Sequence, residues 1–174
     1  MSNGDLSILS IGFPVYNGEK FIKKRIESIL NQTFKDFELT ISDNASTDTT
    51  QMICEEYLKK DKRIRYIRQE KNMGPAWNFD FILNKAETEY FVMASADDIW
   101  SKNFLEKNIE FLEKNKQFVG SIGEVSLFHR NENDVKLITN TKKFQYVIST
   151  NDNFGKRLSS YLKYNMGTQY YSVF

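Results

Sequence analysis

Three features of the sequence predict an α/β fold: a mostly parallel sheet with helices on both faces. Strand-like and helical segments alternate from residue 6 to residue 115. The strand segments are short apolar runs bounded by turn residues, as buried strands are. The helical segments gather their apolar residues on one side, as the covers of a sheet must. The 174 residues suit a single domain with a real core. Residues 6–115 form its regular part and 116–174 a less regular second part, with a hairpin expected there.

Leu6–Phe13 reads as the first strand, stopped by Pro14, with Asn17-Gly18 supplying the turn. From Glu19 to Asn31, Phe21, Ile22, Ile26, Ile29 and Leu30 share a helical face. Phe37–Ser42 is the second strand, and Asp43–Asp48 the loop into a helix over Thr49–Lys60 that turns Met52, Ile53 and Tyr57 inward. Ile64–Arg68 is a short third strand. Asn72-Met73-Gly74-Pro75 is a turn with proline near the first helical position. The helix it opens, to about Ala86, buries Trp77, Phe81 and Ile82. Tyr90–Ala94 is the fourth strand, followed by Asp97-Asp98 and a helix over Lys102–Asn115 with Phe104, Leu105, Ile109 and Leu112 inward. The pattern then changes. Val119–Phe128 and Val135–Thr139 read as a hairpin about Asn131–Asp134, Thr139–Thr150 as a loop, Asn153–Tyr164 as a helix and Thr168–Phe174 as a strand. A chain that stops in mid-strand suggests that the natural protein continues.

Composition narrows the function. The 24 Lys and Arg residues nearly balance the 23 Asp and Glu residues, which argues against a nucleic-acid coat protein. The single cysteine, Cys54, excludes an intrachain disulfide, fits a reducing compartment and reads as a buried structural thiol. No apolar run approaches a membrane span, and the start lacks a signal-peptide pattern. These readings predict a cytoplasmic location, with membrane attachment left to any segment outside the chain.

The loops after the first, second and fourth strands carry the chemistry. In an open α/β sheet, loops at the carboxyl ends of neighbouring strands line the ligand crevice. Here they hold Tyr16, Asp43 and the adjacent pair Asp97-Asp98. An aromatic ring stacks on a base, and a carboxylate accepts hydrogen bonds from base N–H or ribose hydroxyls. Adjacent carboxylates repel unless a cation compensates, and they supply part of a hard divalent-cation site that substrate phosphates complete. The same pair could simply cap the following helix, and Tyr16 could be a turn aromatic. The first strand leads into Gly-Phe-Pro-Val-Tyr-Asn, which is no dinucleotide fingerprint, and no P-loop occurs. Bound phosphates would then depend on metal and side chains.

These segments together resemble the family 2 glycosyltransferases of the GT-A fold. The matching motifs are Pro14-Val15-Tyr16-Asn17, Ser42–Asp48, Asn72-Met73-Gly74 with Asn78, and Ser95-Ala96-Asp97-Asp98, in that order over residues 6–115. The resemblance implies that Tyr16 contacts the uracil, beside the backbone of Pro14 and Val15, and that Asp43 binds the base. It implies that Asn72, Gly74 and Asn78 shape the nucleotide pocket, that Asp97 lies near ribose and that Asp98 ligates Mn²⁺ or Mg²⁺. The sequence departs from the family pattern at Asn44, Ala45 and Ser95, where the family has acid, glycine and acid.

The function so implied is a metal-dependent, inverting transfer of a sugar from a nucleotide-diphosphate donor, UDP foremost. The acceptor would be a hydroxyl of a saccharide or lipid-linked saccharide, in bacterial surface polysaccharide synthesis. The family's general base stands in an acidic motif beyond the strand that Thr168–Phe174 resembles. The resemblance therefore leaves this chain without a catalytic base, and nucleotide binding with weak or absent transfer is expected. A nucleotidyltransferase is the second enzyme reading, although Gly12–Lys20 offers little of the basic, glycine-rich loop that a triphosphate needs. A non-catalytic nucleotide-binding module is the third.

Overall fold

The computed structural model describes residues 7–95, 99–122, 126–131, 134–140 and 172–173. Asp97 and Asp98, the residues expected to form a loop over 141–150, and the helix expected over Asn153–Tyr164 lie outside these. The chain falls into two compact units, Met1–Lys107 and Asn108–Phe174. The boundary lies within the fourth helix.

The first unit alternates as expected: β1 (Leu9–Val15), α1 (Ile22–Leu30), β2 (Phe37–Asp43), α2 (Thr50–Lys60), β3 (Ile64–Arg68), α3 (Pro75–Leu83), β4 (Tyr90–Met93) and the start of α4 (Phe104–Lys114). Its strands stand in the order β3-β2-β1-β4 and all pair in parallel. Leu9 lies opposite Phe37 on one side and Tyr90 on the other, and Leu39 lies opposite Ile64. The order reverses at β1, so the carboxyl end of β1 is where a crevice is expected.

β1 is buried along its whole length and runs through Pro14, which was expected to end it. The carbonyl of Gly12 accepts from Ala94 N, whereas that of Val15 accepts from Asn44 N. Gly12 and Pro14 therefore turn their backbone toward β4, and Val15 toward β2. Pairing with β4 ends at Gly12–Met93, so the N–H that Pro14 lacks falls beyond that ladder. α3 packs closely on this strand. A Cβ added to Gly12 would stand 2.2 Å from Ile82 Cγ2 and 3.0 Å from Phe91 Cζ.

The helices bury narrower faces than their composition suggests. α1 buries Ile22, Arg25, Ile26 and Ile29, while Phe21 precedes the helix and is exposed. α2 turns Thr50, Cys54 and Tyr57 inward; Tyr57 was expected there, whereas Met52 is 65% exposed and Ile53 half-buried. α3 is apolar on most sides, so periodicity placed its buried face only in part: Ile82 is buried as expected, Trp77 is exposed and stacked on Phe81, and Asn78 is buried instead. The loop after α1 receives the start of α4. Gln32 donates to Ser101 O at 2.8 Å and accepts from Leu105 N, and Thr33 N donates to Lys102 O. Trp100 is buried between Phe104 and the Arg25 guanidinium, 4.4 Å from its ring, a packing role.

In the second unit, β5 (Ser121–Ile122) pairs antiparallel with β8 (Ser172–Val173), and β6 (Ser126–Asn131) with β7 (Asp134–Asn140). The second pair is the expected hairpin. Its first strand runs from Ser126 to Asn131, where one strand over Val119–Phe128 was expected. Its register shifts between Leu127 and Phe128, and His129 stands opposite Lys136. No described helix is long and apolar enough to cross a membrane.

Candidate functional site

A cleft of about 220 Å³ opens at the carboxyl ends of β1 and β2. Pro14, Val15 and Tyr16 line it from β1, Asn44 from the β2–α2 loop, and Asn72, Pro75, Asn78 and Phe79 from the approach to α3 and its first turns. Five of these were singled out from sequence: Pro14, Val15, Tyr16, Asn72 and Asn78. The volume is below that of a typical drug-sized pocket and suits one planar ring system with its immediate substituents. None of the lining side chains is charged.

The loop after β1 and the loop after β2 hold each other. Asn17 N donates to Ser46 Oγ, Gly18 N to Thr50 Oγ1 and Glu19 N to Asp48 Oδ2. In return Thr47 N donates to Asn17 Oδ1, and Thr49 N and Oγ1 donate to Glu19 Oε2. Two left-handed residues make the turns possible, Asn17 at φ 50° and Ala45 at φ 61°. Burial alone would push the Asp48 carboxyl up, but hydrogen bonds from Thr50 and Glu19 outweigh it and hold the group below its usual range. Tyr16 stands 48% exposed at the end of this braced turn, with its ring free to receive a partner.

Asp43 does not line the cleft. It is fully buried, and its oxygens accept from Ser46 N at 2.8 Å, Tyr66 Oη at 2.7 Å and Arg68 Nη1 at 2.6 Å. Arg68 also donates to Ser46 O. Burial and the Asp43 carboxylate both push the Tyr66 phenol up, so it stays a donor. Asp43 thus ties β3 to the β2–α2 loop, while the next residue, Asn44, turns to the cleft side.

Asn44 and Asn78 are each 2% exposed. Asn44 Nδ2 donates to Asn72 Oδ1 and Gly74 O, and its Oδ1 accepts from Met73 N. Asn78 Nδ2 donates to Ser42 O, and its Oδ1 accepts from Ser42 Oγ at 2.6 Å. Gly74 itself has φ 87°, open to glycine, and opens α3 ahead of Pro75. So Asn72, Gly74 and Asn78 come together in space, with Gly74 in the turn.

Sequence reasoning missed Asn44, Pro75 and Phe79. Asn44 was legible as the neighbour of Asp43: side chains alternate along an extended chain, so only one of the two can face the ligand side. Pro75 and Phe79 flank Asn78 on one helix face, at the i−3 and i+1 positions. Among the described residues no group of three or more His, Cys, Asp or Glu is placed to hold a metal.

The comparisons with known proteins agree on one family. The family model described as Glycosyl transferase family 2 matches residues 10–168. A glycosyltransferase of Haemophilus influenzae is 33% identical over 143 residues, 82% of this chain and 57% of that protein. TuaG of Bacillus subtilis, whose name assigns it to teichuronic acid biosynthesis as a glycosyltransferase, is 35% identical over 60% of this chain and 42% of its own length. Among solved structures, S. aureus TarS 1–349 in complex with UDP aligns with a TM-score of 0.58 and 31% identity. That alignment covers 62% of this chain and 32% of the TarS chain. The chain therefore spans little more than half of the first relative and a third of the TarS fragment. Its α/β, mostly parallel sheet is the arrangement of the GT-A glycosyltransferases. With the match running from residue 10 to residue 168, the chain belongs to glycosyl transferase family 2.

Proposed function

We propose that this chain binds a nucleotide-diphosphate sugar, UDP-linked, as the donor side of an inverting glycosyltransferase. The observation that carries the reading is the uncharged cleft at the carboxyl ends of β1 and β2, with Tyr16 at its edge and Asn72 and Asn78 in its wall. Such a lining suits a neutral heterocycle better than a phosphate, which seeks cations or clustered backbone N–H groups. The base then occupies the cleft, stacked on Tyr16 and floored by Pro14 and Val15. Asp43 serves the site indirectly by bracing the β2–α2 loop.

The sugar-phosphate half extends toward the end of β4. There the adjacent carboxylates Asp97 and Asp98 offer the hard oxygen donors that Mn²⁺ or Mg²⁺ accepts, with Asp97 near ribose and Asp98 as metal ligand. A divalent cation bound there would offset the charge of the departing diphosphate. Trp100, clasped by Arg25 and Phe104, and Ser101, held by Gln32, anchor the chain just after this pair. The acceptor, a saccharide or lipid-linked saccharide hydroxyl, needs a general base within hydrogen-bond reach. We assign that base to no residue of 1–174. A role in bacterial surface polysaccharide synthesis agrees with the name of the B. subtilis relative.

Calorimetry with UDP, with and without Mn²⁺, tests the proposal. The parent chain is expected to bind UDP more tightly with the metal, and Asp98→Ala to lose that gain. Unchanged metal dependence in Asp98→Ala removes the metal assignment. Tighter binding of a nucleoside triphosphate than of UDP favours nucleotidyl transfer instead, and absence of any nucleotide binding favours a non-catalytic module.

A further inference from the structure

We infer that Asn44 is a positioning residue that fixes the side-chain amide of Asn72 in one orientation, so that Asn72 offers a base a hydrogen-bond donor and no acceptor. This rests on the nucleotide reading above.

Backbone groups decide the orientation of both amides. The N–H of Gly74 can only donate, and it meets Asn72 at 2.8 Å, so the atom there is Oδ1. The N–H of Met73 meets Asn44 at 2.9 Å, so that atom is also an oxygen. The other end of the Asn44 amide, Nδ2, then reaches two acceptors, Asn72 Oδ1 at 3.0 Å and Gly74 O at 3.1 Å. All four contacts agree: turning the Asn72 amide over would oppose like atoms at two of them, and turning the Asn44 amide over at three. Asn44 is buried, so water offers it no alternative partners. Asn72 is exposed and borders the cleft, and its Nδ2 has no partner among the described residues.

An exposed asparagine ordinarily presents either end of its amide. Here the oxygen is taken twice, by Asn44 Nδ2 and Gly74 N, and only the NH₂ end is left for a ligand. Its complement is a ring carbonyl. Uracil and cytosine share the carbonyl at position 2 and differ at position 4, where uracil carries a carbonyl and cytosine an amino group, itself a donor; in this proposal the Asn72 amide meets position 4. The lock formed by Asn44 thereby selects uridine over cytidine.

Titration calorimetry of UDP and CDP on the same chain tests this, alongside amide exchange at Met73 and Gly74 followed by NMR. The parent is expected to prefer UDP by roughly tenfold, the scale of one hydrogen bond between neutral groups. Asn72→Asp keeps an oxygen for Gly74 N and Asn44 Nδ2 but replaces the donor by an acceptor. Its preference for UDP should vanish or reverse while exchange at Met73 and Gly74 stays as in the parent. Asn44→Asp sets an oxygen against Asn72 Oδ1 and Gly74 O, so Asn72 turns over. The preference should collapse there too, with faster exchange at Gly74. Equal affinity of the parent for the two nucleotides, or an unchanged preference in Asn72→Asp, overturns the inference. A parent that binds neither nucleotide removes the nucleotide reading and the selectivity with it, and the exchange comparison then judges the lock alone.

Discussion

At the scale of single residues, the β2–α2 loop shows how a site is built from ordinary side chains. Asp43 satisfies three donors at once, and a carboxylate so engaged stabilises the turn that carries Asn44 to the cleft. Ala45 holds φ 61°, where its Cβ crowds the backbone. Ala45→Gly removes that crowding at the cost of a freer unfolded chain, and the net gain should be about 0.5–1 kcal/mol. Urea unfolding of the two proteins measures it. Acid acts on the same scale. The Arg63 guanidinium, hydrogen-bonded to Asp61, holds that carboxyl below its ordinary 3.8, as Thr50 and Glu19 hold Asp48. Both groups have a lower pKa folded than unfolded. Their stabilisation is complete above that ordinary value and is lost as pH falls below 3.8 through the folded values. Between about pH 6 and about pH 3 the urea midpoint should fall less in Asp61→Asn than in the parent. Sequence marked Asp43 and passed over Asn44 because a carboxylate reads as a ligand group and an amide does not. Both are buried, but Asp43 turns to Tyr66 and Arg68 and Asn44 to the cleft, a choice of side that the folded neighbourhood makes.

Among the elements, α3 matters most, since it brings Asn78, Pro75 and Phe79 to the cleft and rests on β1 at Gly12. Gly12→Ala forces Ile82 Cγ2 and Phe91 Cζ to move, and a loss of about 2–3 kcal/mol is expected. Combining it with Ile82→Ala should recover part of that loss, because the two sites share one space. A double-mutant cycle by thermal unfolding reads the coupling, and additive effects would show that α3 does not bear on Gly12. The strands and helices of the first unit were legible because runs and faces of apolar residues repeat clearly there. The inward side of α3 was not. A helix of Pro, Ala, Trp, Phe, Phe, Ile and Leu around one Asn and one Asp has no clear polar side, and the buried asparagine is its best marker. In α2, the buried face centres on Cys54, with Thr50 and Tyr57 above and below; Cys54 and Tyr57 were legible, and the hydroxyl of Thr50 is what a hydrophobicity pattern discounts.

For the molecule as a whole, the order of the first unit was legible to the last strand, whereas in the second unit the hairpin and the strand at Ser172–Val173 were legible but the partner of that strand was not. Hairpin strands carry a local turn signal, but pairing between segments far apart in sequence, such as Ser121 with Val173, leaves no local trace. The buried core gives a probe of global opening. Cys54 has no exposed surface, and burial pushes its thiol up to about 12. Its reaction with a maleimide should be far slower than that of a small-molecule thiol at neutral pH and should accelerate as urea lowers the unfolding free energy. A rate independent of urea below the unfolding transition would mean that α2 opens locally.

The bracing between the first two loops also sets an expectation about time. Each N–H that Asn17, Gly18 and Glu19 present is already taken by a side chain of the opposite loop. An arriving ligand finds this rim assembled and has no order to impose on it. Encounter should therefore proceed in a single concentration-dependent phase, without the slower saturating step that a closing loop leaves in stopped-flow traces.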